Sequence, residues 1–297
     1  MRNSVRNEEE VLPAKIMVFG PPGSGKTYLL ATIAKVPSVR QVYWFDFENG
    51  IETVIYATDA NGNPLLTDEE LSKIQVFSIQ DTRQLPRAAE TMLKLFSSRT
   101  GIDLCQSHGK VGCTICKDKV SINLTELDES TVIVIDSLSQ LADSVLNLQL
   151  NKYDYKDLRK YYGVFTTDMG AITSGIQAAR CIIATATHEL TRTKQVEVAK
   201  GVTEDRVVRI VPLCGSQNYS DKVGKYFGYK IYTYQNGTKY KATTTPGKVA
   251  KVLVSHRKPI ILETMSDPSL EAIFTTSVVE SPVAKPAIGG LKAKLKI

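Results

Sequence analysis

The stretch from Gly20 to Thr27, GPPGSGKT, constrains this chain more than any other. It fits G-x-x-x-x-G-K-[S/T] and lies between an apolar run, AKIMVFG, and a helix-forming run, YLLATIAKV, that stops at Pro37. That strand–turn–helix context separates a phosphate-binding loop from a chance glycine-rich turn. Gly23 and Gly25 let the backbone aim its N–H groups at an anion, and the helix N-terminus adds its positive end. The expected nucleotide contacts are therefore Gly20, Pro21, Pro22, Gly23, Ser24, Gly25, Lys26, Thr27 and the adjoining Tyr28. Lys26 is suited to neutralise β- and γ-phosphate charge and Thr27 to ligate Mg²⁺, so ATP and Mg²⁺ are the expected cofactors.

The rest of the chain has the texture such a loop requires. QVYWFDF, KIQVFSI, STVIVIDS and RCIIATATHE read as strands, and TRQLPRAAETMLKLFSS and TTDMGAITSGIQAA have helical spacing. Apolar strands alternating with helices imply an α/β domain whose mostly parallel sheet is covered on both faces. We expect this domain to span residues 14–274. Asp136 ends TVIVID at the carboxyl edge of the sheet, where the second Mg²⁺-side carboxylate belongs. The run YWFDFENG breaks from apolar strand into Asp46 and Glu48. Strand ends converge on the ligand crevice of a parallel sheet, so Glu48 arrives where a carboxylate can orient or deprotonate the attacking water, with Asp46 in support. Further on, KYFGYKIYTYQNGTKYKATTT predicts a β-hairpin turning at Asn236-Gly237.

Cysteine usage adds a second constellation. CQSHGKVGCTIC spaces Cys105, His108, Cys113 and Cys116 as C-x2-H-x4-C-x2-C within an insertion over residues 101–119. These donors can close a tetrahedral shell around a structural Zn²⁺. Lys110 and Lys117 make the segment too polar for a core of buried thiols, whereas Cys181 and Cys214 lie in apolar strands and read as packing residues. No apolar run approaches the roughly 18 residues of a membrane helix, and MRNSVRNEEE has no secretory core, so a cytoplasmic protein without a membrane partner is expected. The net charge of +6 does not by itself mark a nucleic-acid binder. Residues 1–13 and the Pro/Gly-punctuated, lysine-ending residues 275–297 read as flexible ends.

FGPPGSGKT, WFDFENG and VIVIDSLSQL, in that order, resemble the RecA-type ATPase core. IIATATHE is similar to the strand whose last polar residue senses the γ-phosphate; here that is His188, or Thr187 beside it, where RecA has Gln. Over roughly residues 14–260 the chain is similar to the small phage RecA-like ATPases that work beside single-strand annealing proteins, the Sak-four type. In those, too, a P-L-x-G segment and a Tyr/Phe-rich hairpin follow the core, as in VPLCGSQNYSDKVGKYFGYKIYTY. RecA itself has no cysteine-rich insertion.

The resemblance implies a RecA-like P-loop NTPase core with a C-terminal hairpin, hydrolysing ATP with Glu48, Lys26 and His188 as catalytic groups. It also implies a homo-oligomer, ring or filament, that binds single-stranded DNA beside a single-strand-binding or annealing protein. The role would be in phage recombination, repair or replication in the host cytoplasm. Two DNA-facing loops follow from it. The first, NKYDYKDLRKYYGVF, interleaves Lys152, Lys156, Arg159 and Lys160 with Tyr153, Tyr155, Tyr161 and Tyr162. Basic groups there suit phosphates and aromatics suit stacked bases; the same stretch also reads as an amphipathic helix burying Tyr155, Leu158 and Tyr162. The second, LTRTKQVEVAKGVTEDR, offers Arg192, Lys194 and Lys200, or is an ordinary solvated loop. A hexameric helicase-type motor, a small-molecule P-loop kinase and a nucleotide-gated adaptor are the rival readings. The chain has no evident extra domain for the first, and no Arg-rich lid follows VIVID for the second.

Overall fold

The computed structural model describes residues 13–152, 158–199, 202–237, 239–257, 262 and 267–274. Strand β1 (Lys15–Gly20) leads through the phosphate loop into helix α1 (Lys26–Ala31), then come β2 (Gln41–Asp46), α2 (Ile51–Tyr56), α3 (Asp68–Ser72) and β3 (Ile74–Ser78). Helix α4 (Arg87–Ser97) precedes a small ribbon of β4 (Ile102–Cys105) and β5 (Lys119–Ile122). The chain re-enters the sheet as β6 (Thr131–Asp136), followed by α5 (Leu138–Lys152), α6 (Leu158–Ala178), β7 (Ile182–Ala199) and β8 (Val202–Pro212). It ends with α7 (Gln217–Val223), β9 (Tyr229–Asn236), β10 (Lys239–Thr243) and a turn of helix, α8 (Glu271–Phe274).

The main sheet is eight-stranded, in the order β10-β9-β1-β7-β6-β2-β3 with β8 paired to β7. Strands β9, β1, β7, β6, β2 and β3 run parallel, while β10 returns antiparallel to β9 and β8 to β7. Because side chains alternate across a strand, Trp44 and Phe45 enter opposite layers. Phe45 joins Phe77, Met92, Leu141, Phe165 and Ile176 under α4, α5 and α6. Trp44 joins Leu29, Leu30, Ile33 and Val134 under α1. Two covered faces explain why β1 and β6 are buried along their whole length. Register then aligns the strand ends: Asp46 lies beside Asp136, and Gly20 beside His188. The expected C-terminal hairpin is present as β9–β10, turning through Gly237 with φ of 62°.

Two expectations change. The segment after Asp136 is helical as far as Lys152, and Leu158 to Phe165 open α6; Tyr153 to Asp157, with Tyr155 and Lys156, lie outside the described residues. The amphipathic-helix reading is the one realised, on a different face. Tyr161, Phe165, Met169, Ile172 and Ile176 follow the helical period into the core, and Tyr162 is left exposed. Tyr161 is thus withdrawn as a base-stacking group: it is 7% exposed and its hydroxyl donates to the Leu146 carbonyl at 2.9 Å.

The second polar stretch is no loop either. Its β-branched content, Thr191, Thr193, Val196, Val207 and Ile210, favours strand, and it forms the β7–β8 hairpin that extends beyond the main sheet. Arg192 is engaged there, 3.0 Å from Asp221, which also takes Arg209 at 2.9 Å. Lys200 and the ends 1–12 and 275–297 lie outside the described residues. No described helix is long and apolar enough to cross a membrane.

Candidate nucleotide site and metal centre

At the carboxyl edge of the sheet the phosphate loop opens a cavity of about 610 Å³, lined by Lys26, Thr27, Tyr28, Glu48, Asp136, His188 and Tyr240 among others. Gly23 and Gly25 hold φ of 71° and 86°, the left-handed conformation that a side chain resists. Gly20 is required by space: a Cβ there would lie 2.3 Å from the Thr233 carbonyl oxygen. The loop is braced by the C-terminal hairpin, through Ser24–Thr233 hydroxyls at 2.7 Å and Gln235 Nε2 donating to the Gly23 carbonyl at 3.0 Å. Tyr240 packs against Tyr28, ring centroids 5.7 Å apart. Sequence reasoning missed these bracing residues, which come from more than two hundred positions downstream.

Lys26 folds over the loop and donates to the carbonyls of Gly20 at 3.2 Å and Pro21 at 2.9 Å. Burial lowers its pKa, against the opposing pull of Glu48, Asp136 and Glu189. Asp136 is buried and accepts from the Thr27 hydroxyl at 3.0 Å. Burial pushes its carboxyl up to about 7; Glu48 and Asp46 add to the rise, and Thr27 and Lys26 oppose it. A desolvated carboxylate paired with a hydroxyl on the phosphate loop fits a hard divalent cation, and Thr27 and Asp136 are the residues that would hold Mg²⁺. A bound Mg²⁺ supplies charge neutralisation for the phosphates.

Glu48 sits on the turn that leaves β2. Asp46, fully buried, accepts from the backbone N–H groups of Glu48, Gly50 and Ile51 at 3.2, 3.0 and 3.1 Å, which fixes that turn. The Glu48 carboxylate takes hydrogen bonds from the Ser137 hydroxyl and from His188 Nε2, the latter at 3.2 Å. Burial raises its pKa, but the bonds from His188 and Ser137 and the charges of His188 and Lys26 outweigh this, leaving it below the usual carboxylate value. A carboxylate held ionised at the cavity wall can accept a proton from water. Of the two sensor candidates, His188 lines the cavity, whereas Thr187 is fully buried with its hydroxyl unpartnered among the described residues.

The four cysteine-region donors converge on the β4–β5 ribbon. The ligand atoms of Cys105, His108, Cys113 and Cys116 all lie within 4.8 Å of one another, with His108 Nδ1 3.1 Å from Cys116 Sγ. Asp118 accepts from the Ser107 amide at 3.2 Å and from its hydroxyl, anchoring the turn between the first two donors. Left-handed Gly109 presses on the end of β3, where a Cβ would meet Ile79 at 2.3 Å. Three thiols and an imidazole on this compact ribbon fit a soft, four-coordinate ion. Cys181 and Cys214 are fully buried in the core, and burial raises both thiols, as packing residues require.

Lys152, Arg159, Lys160 and Lys194 are exposed, the first three at the α5–α6 junction and the last on the hairpin.

A model of the AAA domain matches residues 12–220. No curated protein matches the chain. Among solved structures, the RadB recombinase is similar at a TM-score of 0.40 and 13% identity, covering 78% of this chain and 80% of that one. An ATPase from the type III secretion system of pathogenic bacteria is similar at a TM-score of 0.42 and 12% identity, covering 75% of this chain and 52% of that one. This chain therefore spans about half the length of that ATPase.

Proposed function

The chain belongs to the AAA domain family, and from that premise we propose that it is a RecA-like P-loop ATPase that hydrolyses ATP in concert with single-stranded DNA. The observation that carries the hydrolytic half is the carboxylate of Glu48, held at the wall of the same cavity as Lys26, Thr27 and Asp136. In this reading the phosphate loop and Lys26 bind the phosphates, and Thr27 and Asp136 hold Mg²⁺. Glu48 receives the proton of the attacking water, and His188 sits where the γ-phosphate is read.

The DNA half rests on the exposed bases at the α5–α6 junction and on the hairpin that begins one residue past His188. The sequence of the hairpin carries little net charge, because Glu189, Glu197, Glu204 and Asp205 nearly balance Arg192, Lys194, Lys200, Arg206 and Arg209. Phosphate contacts therefore fall mainly to Lys152, Arg159 and Lys160. Assembly as a ring or filament, work beside an annealing protein, and a phage setting belong to the same proposal. The cysteine-region quartet holds a structural Zn²⁺.

Steady-state ATP hydrolysis with and without single-stranded DNA tests the reading. It predicts Mg²⁺-dependent turnover, lost in Lys26→Ala and raised severalfold by single-stranded DNA but not by duplex. Hydrolysis indifferent to DNA would leave an ATPase with another partner, and none at all would leave a nucleotide-gated adaptor.

A further inference from the structure

We propose that Ser137 and His188 are positioning residues that pin one oxygen of Glu48, so that its other oxygen is presented to the attacking water; this rests on the ATPase reading above. Both donors converge on Oε1. Among the described residues none donates to Oε2, which is left to accept a water proton. A carboxylate pinned through one oxygen has a fixed rotamer and a fixed direction for the other.

Each donor is itself constrained. Ser137 is fully buried between β6 and α5, and its hydroxyl oxygen accepts the Gln140 amide at 3.2 Å, so its single proton is committed to Glu48. The His188 backbone is held on both sides: its amide donates to Ser139 Oγ at 2.9 Å, and its carbonyl accepts from the Leu213 amide at 2.7 Å. Among the described residues its Nδ1 is buried without a partner, and Nε2 is the ring nitrogen that faces Glu48. Ser139, beside Ser137 on the start of α5, ties the two halves of the clamp together by holding His188.

The expected signature is a split between kcat and KM. Ser137→Ala and His188→Ala should each lower kcat about ten- to a hundredfold with the KM for ATP within about twofold of wild type, the scale on which misplacing a catalytic group acts. Ser137→Thr and His188→Gln, which keep a donor, should recover most of that loss. In a Glu48→Gln background, Ser137→Ala should cost nothing further, because it acts through Glu48. Fluorescent-nucleotide binding would show that each variant is folded. Wild-type kcat in both alanine variants, or a loss in Ser137→Ala that multiplies with that of Glu48→Gln, would overturn the clamp while leaving the ATPase reading standing. Wild-type hydrolysis no greater than that of Lys26→Ala would instead remove the ATPase reading, and the clamp with it.

Discussion

At the scale of single residues, the phosphate loop is shaped as much by what packs against it as by its own glycines. Gly20 has no room for a methyl group because the Thr233 carbonyl occupies that space, and a backbone atom cannot swing aside as a side chain can. Gly20→Ala should cost about 1–3 kcal/mol of stability, the usual cost of overpacking, and weaken ATP binding with it; denaturant unfolding and nucleotide titration measure the two. The loop and both carboxylates were legible in the sequence because each is a local signal: a glycine pattern, or an acid where an apolar run stops. Ser137, Thr233 and Tyr240 were not. Their roles depend on which distant strands become neighbours, and a serine after a strand or a tyrosine in a hairpin carries no mark of that.

Among elements, the same division holds. The strands were readable as β-branched runs, and the clustering of four candidate metal donors from their spacing. Helix α5 has no counterpart among the helices read from the sequence, although Leu138, Leu141, Val145 and Leu148 carry the spacing of a buried helix face. The β7–β8 hairpin was hidden by its charged residues, which are tolerated because the ribbon is exposed on both faces. The β4–β5 ribbon is the element most open to a direct test. Ile102, Leu104 and Ile122 tie it to the core, and the donor quartet gathers its outer loop. Purified protein should carry about one zinc per chain. Cys113→Ser should lose it and lower the melting temperature by several degrees, with ATP affinity within about twofold of wild type. Elemental analysis without zinc, in protein never exposed to chelator, would exclude the assignment.

For the whole molecule, the two covered faces of the sheet set the energetics, and one buried charge exposes them to titration. Lys15, at the start of β1, donates to the carbonyls of Ala179 at 2.8 Å and Cys181 at 2.6 Å. Burial lowers its pKa from 10.5 to about 8. Below pH 8 the folded protein bears the full cost of a desolvated ammonium. Above it the folded state loses that proton while the unfolded chain keeps its own, so this group's contribution to stability rises with pH. Compared with Lys15→Met, wild-type stability should gain on the order of 1 kcal/mol between pH 7.5 and 9. Denaturant unfolding at several pH values measures it, and a flat difference would mean that the ammonium is not desolvated. The window stops at 9 because the Cys181 thiol, pushed from 9.0 up to about 11 by burial, begins to work in the opposite direction.

The arrangement of the strand ends makes hydrolysis at Glu48 the central claim, and Glu48→Gln tests it most directly. The amide keeps the size of the carboxylate but loses its charge and its capacity to take a proton. ATP binding and steady-state turnover should therefore separate in one variant: affinity within about twofold of wild type, and kcat down at least a hundredfold. Turnover equal to wild type, with binding intact, would contradict the account and return Glu48 to the turn that Asp46 holds.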